Sequence, residues 1–136
     1  MTKQMNWNTY FMNIANDVKN RSKDTVTKVG AVIVNENNEL VSTGYNGFPK
    51  GMEELETDWV SVNKHMYVIH AEANAILYAK RDLKGCKIYT TLSPCNNCAK
   101  LIAASGIKEV YYSTLRFDDG TVNLFRKCKI KMEKIQ

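Results

Sequence analysis

The sequence predicts an α/β fold in which helices cover both faces of a mixed sheet of five strands. Two observations predict it. Helix-like and strand-like segments follow one another in the order α-β-β-α-β-α-β-(α)-β, which is the pattern of a layered α/β domain. Residues 87–112 read as strand, helix and strand, a unit that joins parallel strands by a right-handed crossover. With 136 residues, the chain suits a single domain spanning 1–136.

The first half of the chain predicts one helix, one hairpin and one long loop. Apolar residues recur at helical spacing over residues 7–18, which predicts an amphipathic helix. Residues 29–34 and 40–45 read as strands, and the Asn-rich segment 35–38 between them has turn composition, so they form a hairpin. Residues 50–66 are polar and irregular, and because a loop of this length is usually functional or mobile, we expect it at the mouth of a site.

The second half predicts alternating helices and strands. The helix over 70–80 is ended by Asp82 and Gly85, and a second helix follows Pro94 and stops at Gly106. The remaining segments are a strand over 87–91, the second helix over 95–105, a strand over 110–112, a short helix over 122–125 and a last strand over 128–132.

Composition limits the location and the partners. No apolar run reaches the roughly 18 residues of a membrane helix, and the first residues lack the apolar core of a signal peptide. We therefore expect a cytoplasmic protein without a membrane partner, whose four cysteines are reduced. In that setting a Cys-x-x-Cys pair indicates a metal or redox site.

The net charge of +5 and a pI near 9.0 suit an anionic ligand. The most basic stretch, residues 126–131, alternates charged and apolar positions, so we interpret it as a strand with lysines on its solvent face. Nucleic-acid binding through this segment is open but not favoured.

Three side chains make up a candidate zinc site. His70, Cys95 and Cys98 supply the number and type of ligands found in catalytic zinc sites, which keep a fourth position for water. The two cysteines fall at a predicted helix start, where the helix dipole favours thiolates. The alternative is a closed structural site, which needs a fourth ligand from among Cys86, Cys128 and His65.

Glu72 is the candidate proton carrier because a hydrolytic zinc site needs a carboxylate beside the metal that is not itself a ligand. It stands two residues after His70. On a regular helix that spacing turns the two side chains roughly 200° apart. Helical geometry alone therefore does not place Glu72 beside the metal.

The motif His70-Ala71-Glu72 followed by Pro94-Cys95-Asn96-Asn97-Cys98 matches the signature of zinc deaminases. With it, the chain resembles the deoxycytidylate (dCMP) deaminase family of the cytidine deaminase superfamily over nearly its whole length. The matching stretches are Ser22-Lys23-Asp24, Lys28 to Val34, Gly44 to Pro49, His70 to Ile76 and Ser93 to Lys100.

The resemblance implies a three-layer α/β/α cytidine-deaminase-like fold and one zinc ion per chain. It also implies hydrolysis of dCMP to dUMP and ammonia, with a zinc-activated water attacking C4 of cytosine, a step that supplies dUMP for thymidylate synthesis. By the same resemblance, Asn46 binds the nucleoside, the Ala71 backbone and the Glu72 carboxylate read the cytosine edge, and Asn74 lines the sugar or phosphate side.

Family members are often homo-hexamers regulated by dCTP and dTTP at a loop that corresponds here to Gly44, Tyr45, Asn46 and Gly47. The linker before His70 lacks a Cys/His-rich insert, so we expect no second zinc.

Where relatives carry a tyrosine, this chain has Arg116. A guanidinium there can hold the 5′-phosphate bidentately. Alternatively it pairs at the surface with Asp118 or Asp119.

Two other functions stay open. A tRNA adenosine deaminase, or another nucleobase or nucleoside deaminase, shares the zinc signature and suits the positive charge, although the segment Gly44 to Pro49 argues against it. A non-catalytic zinc-stabilised binding module would keep the ligands but would not need Glu72.

Overall fold

The computed structural model describes residues 3–135, and its five strands form one mixed sheet. The strands are β1 (Gly30–Val34), β2 (Leu40–Tyr45), β3 (Lys87–Leu92), β4 (Glu109–Thr114) and β5 (Lys131–Lys134). Their order is β2-β1-β3-β4-β5. Strand β1 is antiparallel to both β2 and β3, whereas β3, β4 and β5 run parallel. The predicted mixed sheet, with its hairpin and its parallel βαβ unit, is confirmed.

Helices cover both faces of the sheet, as predicted. They are α1 (Trp7–Val18), α2 (Ala71–Ala79), α3 (Asn96–Ser105) and α4 (Asp119–Lys127), with short 3₁₀ turns at Lys19–Arg21, Glu56–Trp59 and Lys64–Met66. No helix in the described part of the chain has the length and apolarity needed to cross a bilayer.

The alternation of side chains along each strand divides the core between the two faces. Ala31, Ile33, Ile88 and Val110 point to the face covered by α2, α3 and α4. Their neighbours on the other face pack with Phe11, Met12 and Ala15 of α1; these neighbours are Val32, Val34, Tyr89 and Tyr111. The face that carries three helices also carries both predicted ligand segments.

The C-terminal elements differ from the prediction. Helix α4 begins at Asp119 and β5 begins at Lys131, so residues 128–130 form the turn between them instead of the start of a strand. Lys129 adopts a positive φ of 57°, and the Ile130 N–H donates to the Phe125 carbonyl at 2.8 Å, closing the end of the helix. The basic residues Arg126 and Lys127 therefore lie on α4 and not on a strand.

The glycine at position 44 lets α2 approach the sheet closely. Gly44 lies in β2, and a β-carbon at this position would come within 2.4 Å of the Ala71 carbonyl oxygen and of the Ala75 nitrogen. Both contacts are to backbone, so a larger residue would push the start of α2 away from the sheet. The absence of a side chain at Gly44 therefore allows the His70 end of this helix to lie close to the sheet.

Candidate active site

His70 and Cys95 occupy equivalent places, each as the residue that immediately precedes a helix. His70 caps α2 with φ −66° and ψ 155°, and Cys95 caps α3 with φ −75° and ψ 169°. Both residues are extended, so their side chains are not bound by the helical spacing of the residues that follow. On a regular helix the side chains of His70 and Glu72 would point in nearly opposite directions. Because His70 lies just before the helix, this restriction does not apply to the pair.

The three predicted ligands meet at one point. His70 Nδ1 lies 3.3 Å from Cys98 Sγ and 3.6 Å from Cys95 Sγ, and the three ligand atoms all lie within 4.8 Å of one another. Zinc bonds of about 2.0 Å to nitrogen and 2.3 Å to sulfur, at tetrahedral angles, place the ligand atoms about 3.6 Å apart. The donor set and its spacing therefore fit zinc.

The two thiols differ in how readily they ionise. The pKa of Cys95 falls to about 3 because Cys98 and His70 offer hydrogen bonds to its thiolate. The pKa of Cys98 rises, because it shares its proton with Cys95 and is buried. One thiolate is thus ready for a metal, and the proton held between the two sulfurs is the one that a metal ion would displace.

Two of the predicted ligands, His70 and Cys95, line a cavity of about 730 Å³. His70 is exposed and Cys95 is half-buried, whereas Cys98 is buried behind them. The walls come from residues 24–29, from Asn46, from the segment 59–68 and from Arg116. Of the 50–66 loop expected at the mouth of the site, the part from Trp59 to His65 contributes to the cavity wall, whereas residues 50–58 do not line it.

Glu72 also lines this cavity, and only 4% of its surface is exposed. Burial raises its pKa to about 7, although its backbone hydrogen bond and the charges of His70 and Arg116 act in the opposite direction. A carboxyl group with this pKa can both accept and release a proton near neutral pH. The site therefore combines three zinc-type ligands, a cavity beside them and a buried carboxyl group suited to proton transfer.

Comparison with known proteins agrees with this geometry. The family model described as "Cytidine and deoxycytidylate deaminase zinc-binding region" matches residues 5–114. The chain belongs to this family. The deoxycytidylate deaminases of Pongo abelii and Homo sapiens are each 43% identical to it over 123 residues, which cover 85% of this chain and 69% of theirs. The predicted family and the zinc cofactor are confirmed.

Solved structures agree as well. The dCMP deaminase of cyanophage S-TIM5 in its apo form superposes with a TM-score of 0.82 at 26% identity, covering 98% of this chain and all of that one. The same phage enzyme in complex with dCMP and dUMP gives a TM-score of 0.81 at 28% identity. The predicted cytidine-deaminase-like fold is confirmed over nearly the whole chain.

Asn46 lines the cavity of this family member, but its side chain is largely committed to the protein. Its Oδ1 accepts the Val29 N–H at 2.9 Å, and its Nδ2 donates to the Thr27 carbonyl at 2.9 Å and to Asp24 Oδ2 at 3.3 Å. These bonds leave only the second lone pair of Oδ1 for a ligand. Any contact to a nucleoside is therefore made through an acceptor of fixed orientation.

Asn74 does not stand where the sequence predicted it. It is buried, and its Nδ2 donates to the Tyr45 carbonyl at 2.8 Å and, at 3.5 Å, to that of Ile69. It is not among the residues that line the described cavity. Asn74 therefore links α2 to the end of β2 and to Ile69, the residue before His70.

The segment 44–47 is also tied to the metal side of the site. Gly47 and Ile69 exchange backbone hydrogen bonds of 3.1 and 2.8 Å. The predicted regulatory loop therefore helps to hold His70, and of its four residues only Asn46 lines the cavity.

Arg116 stands at the cavity wall, and its backbone is held firmly. Its N–H donates to Ser93 Oγ at 2.6 Å, and Ser93 Oγ donates to its carbonyl at 2.9 Å. Arg116 lines the same cavity as His70 and Glu72. Within residues 3–135 it forms no ion pair with Asp118 or Asp119, so the surface-pair alternative is not what the structure shows.

Sequence reasoning missed a buried ion pair in the cavity wall. Lys64 Nζ lies 3.0 Å from Asp24 Oδ1, and the side chains are only 10% and 7% exposed. Burial acts to raise the pKa of Asp24, but the hydrogen bonds from the Val26 and Thr27 N–H groups and from Lys64 outweigh it, so the pKa is lowered. The sequence offered one sign of this pair, since Asp24 belongs to the matching stretch Ser22-Lys23-Asp24. The composition of the linker did not identify Lys64 as its partner.

Replacing Lys64 with Met is expected to lower the free energy of unfolding by about 3–5 kcal/mol, because it leaves a buried carboxylate without its cation. Asp24 stabilises the folded state only while it is ionised, so its contribution is present at neutral pH and is lost as the pH falls through its lowered pKa. Without Lys64 that loss begins at a higher pH. Urea unfolding at several pH values measures both effects.

Lys23→Met is the matched control, because Lys23 pairs with Glu54 at 2.7 Å while 70% exposed. Such a pair is worth under about 1 kcal/mol. Equal losses in the two variants would show that the ion pair of Lys64 is not buried as described.

Proposed function

We propose that this protein hydrolyses dCMP to dUMP and ammonia. The observation that carries the proposal is Glu72, a buried carboxyl group with a pKa of about 7, placed beside three zinc-type ligands at the end of a cavity of about 730 Å³. Relatives named deoxycytidylate deaminase support the substrate, as does the phage structure in complex with dCMP and dUMP.

The proposed chemistry moves protons through Glu72. The carboxylate accepts one proton from the water that adds to C4 of cytosine and delivers it to N3 of the ring. It then takes the second proton from the hydroxyl now on C4 and passes it to the 4-amino group, which leaves as ammonia as the C4–N bond breaks and the C4 carbonyl forms. The oxygen of that water becomes the O4 of dUMP. A raised pKa serves both halves of this cycle, since the same group acts first as base and then as acid.

Zinc would be held by His70 Nδ1, Cys95 Sγ and Cys98 Sγ. When bound, it supplies Lewis-acid activation of the attacking water. The backbone supports both sulfurs as thiolates: the Cys98 N–H helps to lower the pKa of Cys95, and the Ala73 N–H opposes the rise in the pKa of Cys98.

The cytosine edge and the sugar would be read by groups already fixed in place. The Ala71 backbone and the Glu72 carboxyl group, at the first two positions of α2, are proposed to contact the ring. The free lone pair of Asn46 Oδ1 is proposed to accept a hydrogen bond from a sugar hydroxyl, because the rest of the amide is already bound. Asn74 orients this end of α2 instead of meeting the substrate.

One assay tests the proposal and its rivals together. Ammonia release is measured from dCMP, deoxycytidine, CMP and dCTP, and inosine formation is measured in a tRNA anticodon stem-loop, all with the zinc-loaded protein. We expect dCMP to be the best substrate. Turnover of the RNA alone would indicate the adenosine deaminase alternative, and no turnover at all would indicate a zinc-stabilised binding module.

Arg116 is proposed to hold the 5′-phosphate. Arg116→Ala is then expected to lower kcat/KM for dCMP at least about tenfold, because a charge-assisted pair contributes about 1.5–3 kcal/mol. The weak reaction of deoxycytidine, which has no phosphate, should hardly change. Steady-state kinetics on the two substrates measures the difference, and equal losses on both would reject the phosphate role. Arg126→Ala on the exposed face of α4 is the control for loss of positive charge.

A single domain over 1–136, a homo-hexameric assembly and regulation by dCTP and dTTP complete the proposal. Light scattering with and without each nucleotide, alongside dCMP kinetics, tests the last two. An unchanged rate and an unchanged mass with both nucleotides would remove regulation from the proposal.

A further inference from the structure

One carboxylate bonds to the first turns of two helices beside the zinc ligands. Asp118 Oδ2 accepts the N–H of Asn96, the first residue of α3, at 3.0 Å, and its Oδ1 accepts the N–H of Thr121 in α4 at 3.1 Å. Asn96 directly follows Cys95 in the chain. The two oxygens of Asp118 thus connect the start of α4 to the residue next to a zinc ligand.

This connection is the centre of a larger attachment between two chain segments. Thr121 Oγ1 donates to the Pro94 carbonyl at 3.1 Å, so the residue before Cys95 is held as well as the residue after it. The fit is close, since a β-carbon at Gly120 would come within 2.9 Å of Asn96 Nδ2. The position of the Cys95 peptide units is therefore set from α4 on both sides.

We propose that Asp118 is a positioning residue for the metal: by bonding to Asn96 and Thr121 at once, it holds the Cys95 turn where its sulfur can bind zinc. The inference rests on the proposed zinc site of His70, Cys95 and Cys98. Residues that orient metal ligands contribute 10- to 100-fold to metal affinity in other proteins. Asp118 acts through hydrogen bonds to the backbone and not through its charge.

The charge of Asp118 is a separate factor. A carboxylate close to the site disfavours the ligand thiolates but also attracts the dication itself, so the direction of the change alone does not separate charge from positioning. Asp118→Asn removes the charge and keeps one acceptor oxygen, whereas Asp118→Ala removes both. Positioning therefore predicts that the amide variant keeps more of the zinc affinity than the alanine variant.

The experiment measures zinc affinity in metal-stripped protein by competition with a chromophoric chelator, for Asp118→Ala, Asp118→Asn and Asp119→Ala. We expect Asp118→Ala to weaken binding at least about tenfold. Asp118→Asn keeps one acceptor oxygen and should lose less zinc affinity than Asp118→Ala. Asp119 is exposed and is the first residue of α4, next to Asp118 in the chain, so its replacement should stay within about twofold of the original affinity while removing the same charge.

General loosening of α4 is tested by Phe125→Leu, which alters the buried core side of that helix away from the metal turn. It should lower the unfolding temperature of the stripped protein and leave zinc affinity within about threefold. The proposal is overturned if Asp118→Ala binds zinc within threefold of the unchanged protein, or if Phe125→Leu weakens zinc as much as Asp118→Ala does. Because zinc affinity is measured without substrate, failure of dCMP turnover in the unchanged protein would count against the proposed function alone.

Discussion

Replacing Glu72 with Gln is expected to reduce turnover of dCMP by more than about 10⁴-fold, because the amide can neither accept the proton of the attacking water nor return one to the substrate. Zinc content and binding of dUMP should remain, since the side chain keeps its size and is not among the three ligands. Ammonia release, metal analysis and calorimetry with dUMP measure the three quantities. Turnover within tenfold of the unchanged protein would refute the role of Glu72.

A stability measurement shows that the variant is folded. The raised pKa of Glu72 means that its ionisation costs free energy in the folded state, so its contribution to stability is full below the unfolded pKa and is lost as the pH rises through about 7. A glutamine at this position does not ionise, so the variant does not lose stability in this way. In metal-stripped protein, Glu72→Gln should therefore unfold at a higher temperature than the unchanged protein at pH 8, with a smaller difference at pH 5.

Cys95→Ala is expected to abolish stoichiometric zinc binding and, with it, activity. The change removes the thiol with the lowered pKa of about 3 and leaves only two of the three ligands. We expect one zinc per chain before the change and none after dialysis afterwards, measured by atomic absorption. Because zinc stabilises the folded state to which it binds, its loss should also lower the unfolding temperature.

Cys128→Ala is the control, because Cys128 is a half-buried free thiol between α4 and β5 and not a member of the ligand group. It should keep one zinc and full activity. Two zinc ions per chain, or full occupancy after Cys95→Ala, would overturn the assigned site. Loss of zinc in Cys128→Ala would revive the structural alternative with a fourth ligand.

Most of the fold could be predicted from local pattern. Helix α1 begins and ends at the predicted residues, and the Asn-rich turn, the strand β3 and the helix after Pro94 lie within one or two residues of their predicted positions. The failure at residues 128–130 has a physical cause. Apolar residues alternate there as in a strand, but the end of α4 needed a residue with positive φ, and Lys129 supplied it.

Local sequence patterns also could not predict the contacts of several side chains around the site. Asn74 sits in a matching motif, but the sequence gives no sign that the Tyr45 carbonyl would take its amide. Asp24 and Lys64 are 40 residues apart in the chain and meet only when the linker folds over the cavity. Such contacts depend on distances between segments that no local pattern encodes.

The residue types and their order in the chain were enough to predict the chemistry: three zinc-type ligands, a carboxyl group close to one of them in the chain, and the order of helices and strands that carries them. The residue types alone identify a nitrogen and sulfur donor set with an open position. How these groups are arranged in space depends on the packed chain. The extended caps at His70 and Cys95 bring the two helix starts within bonding distance, burial raises the pKa of Glu72, and Asp118 joins α4 to the metal turn. Desolvation and long-range hydrogen bonds arise from the packed chain, so they appear only when the segments are assembled.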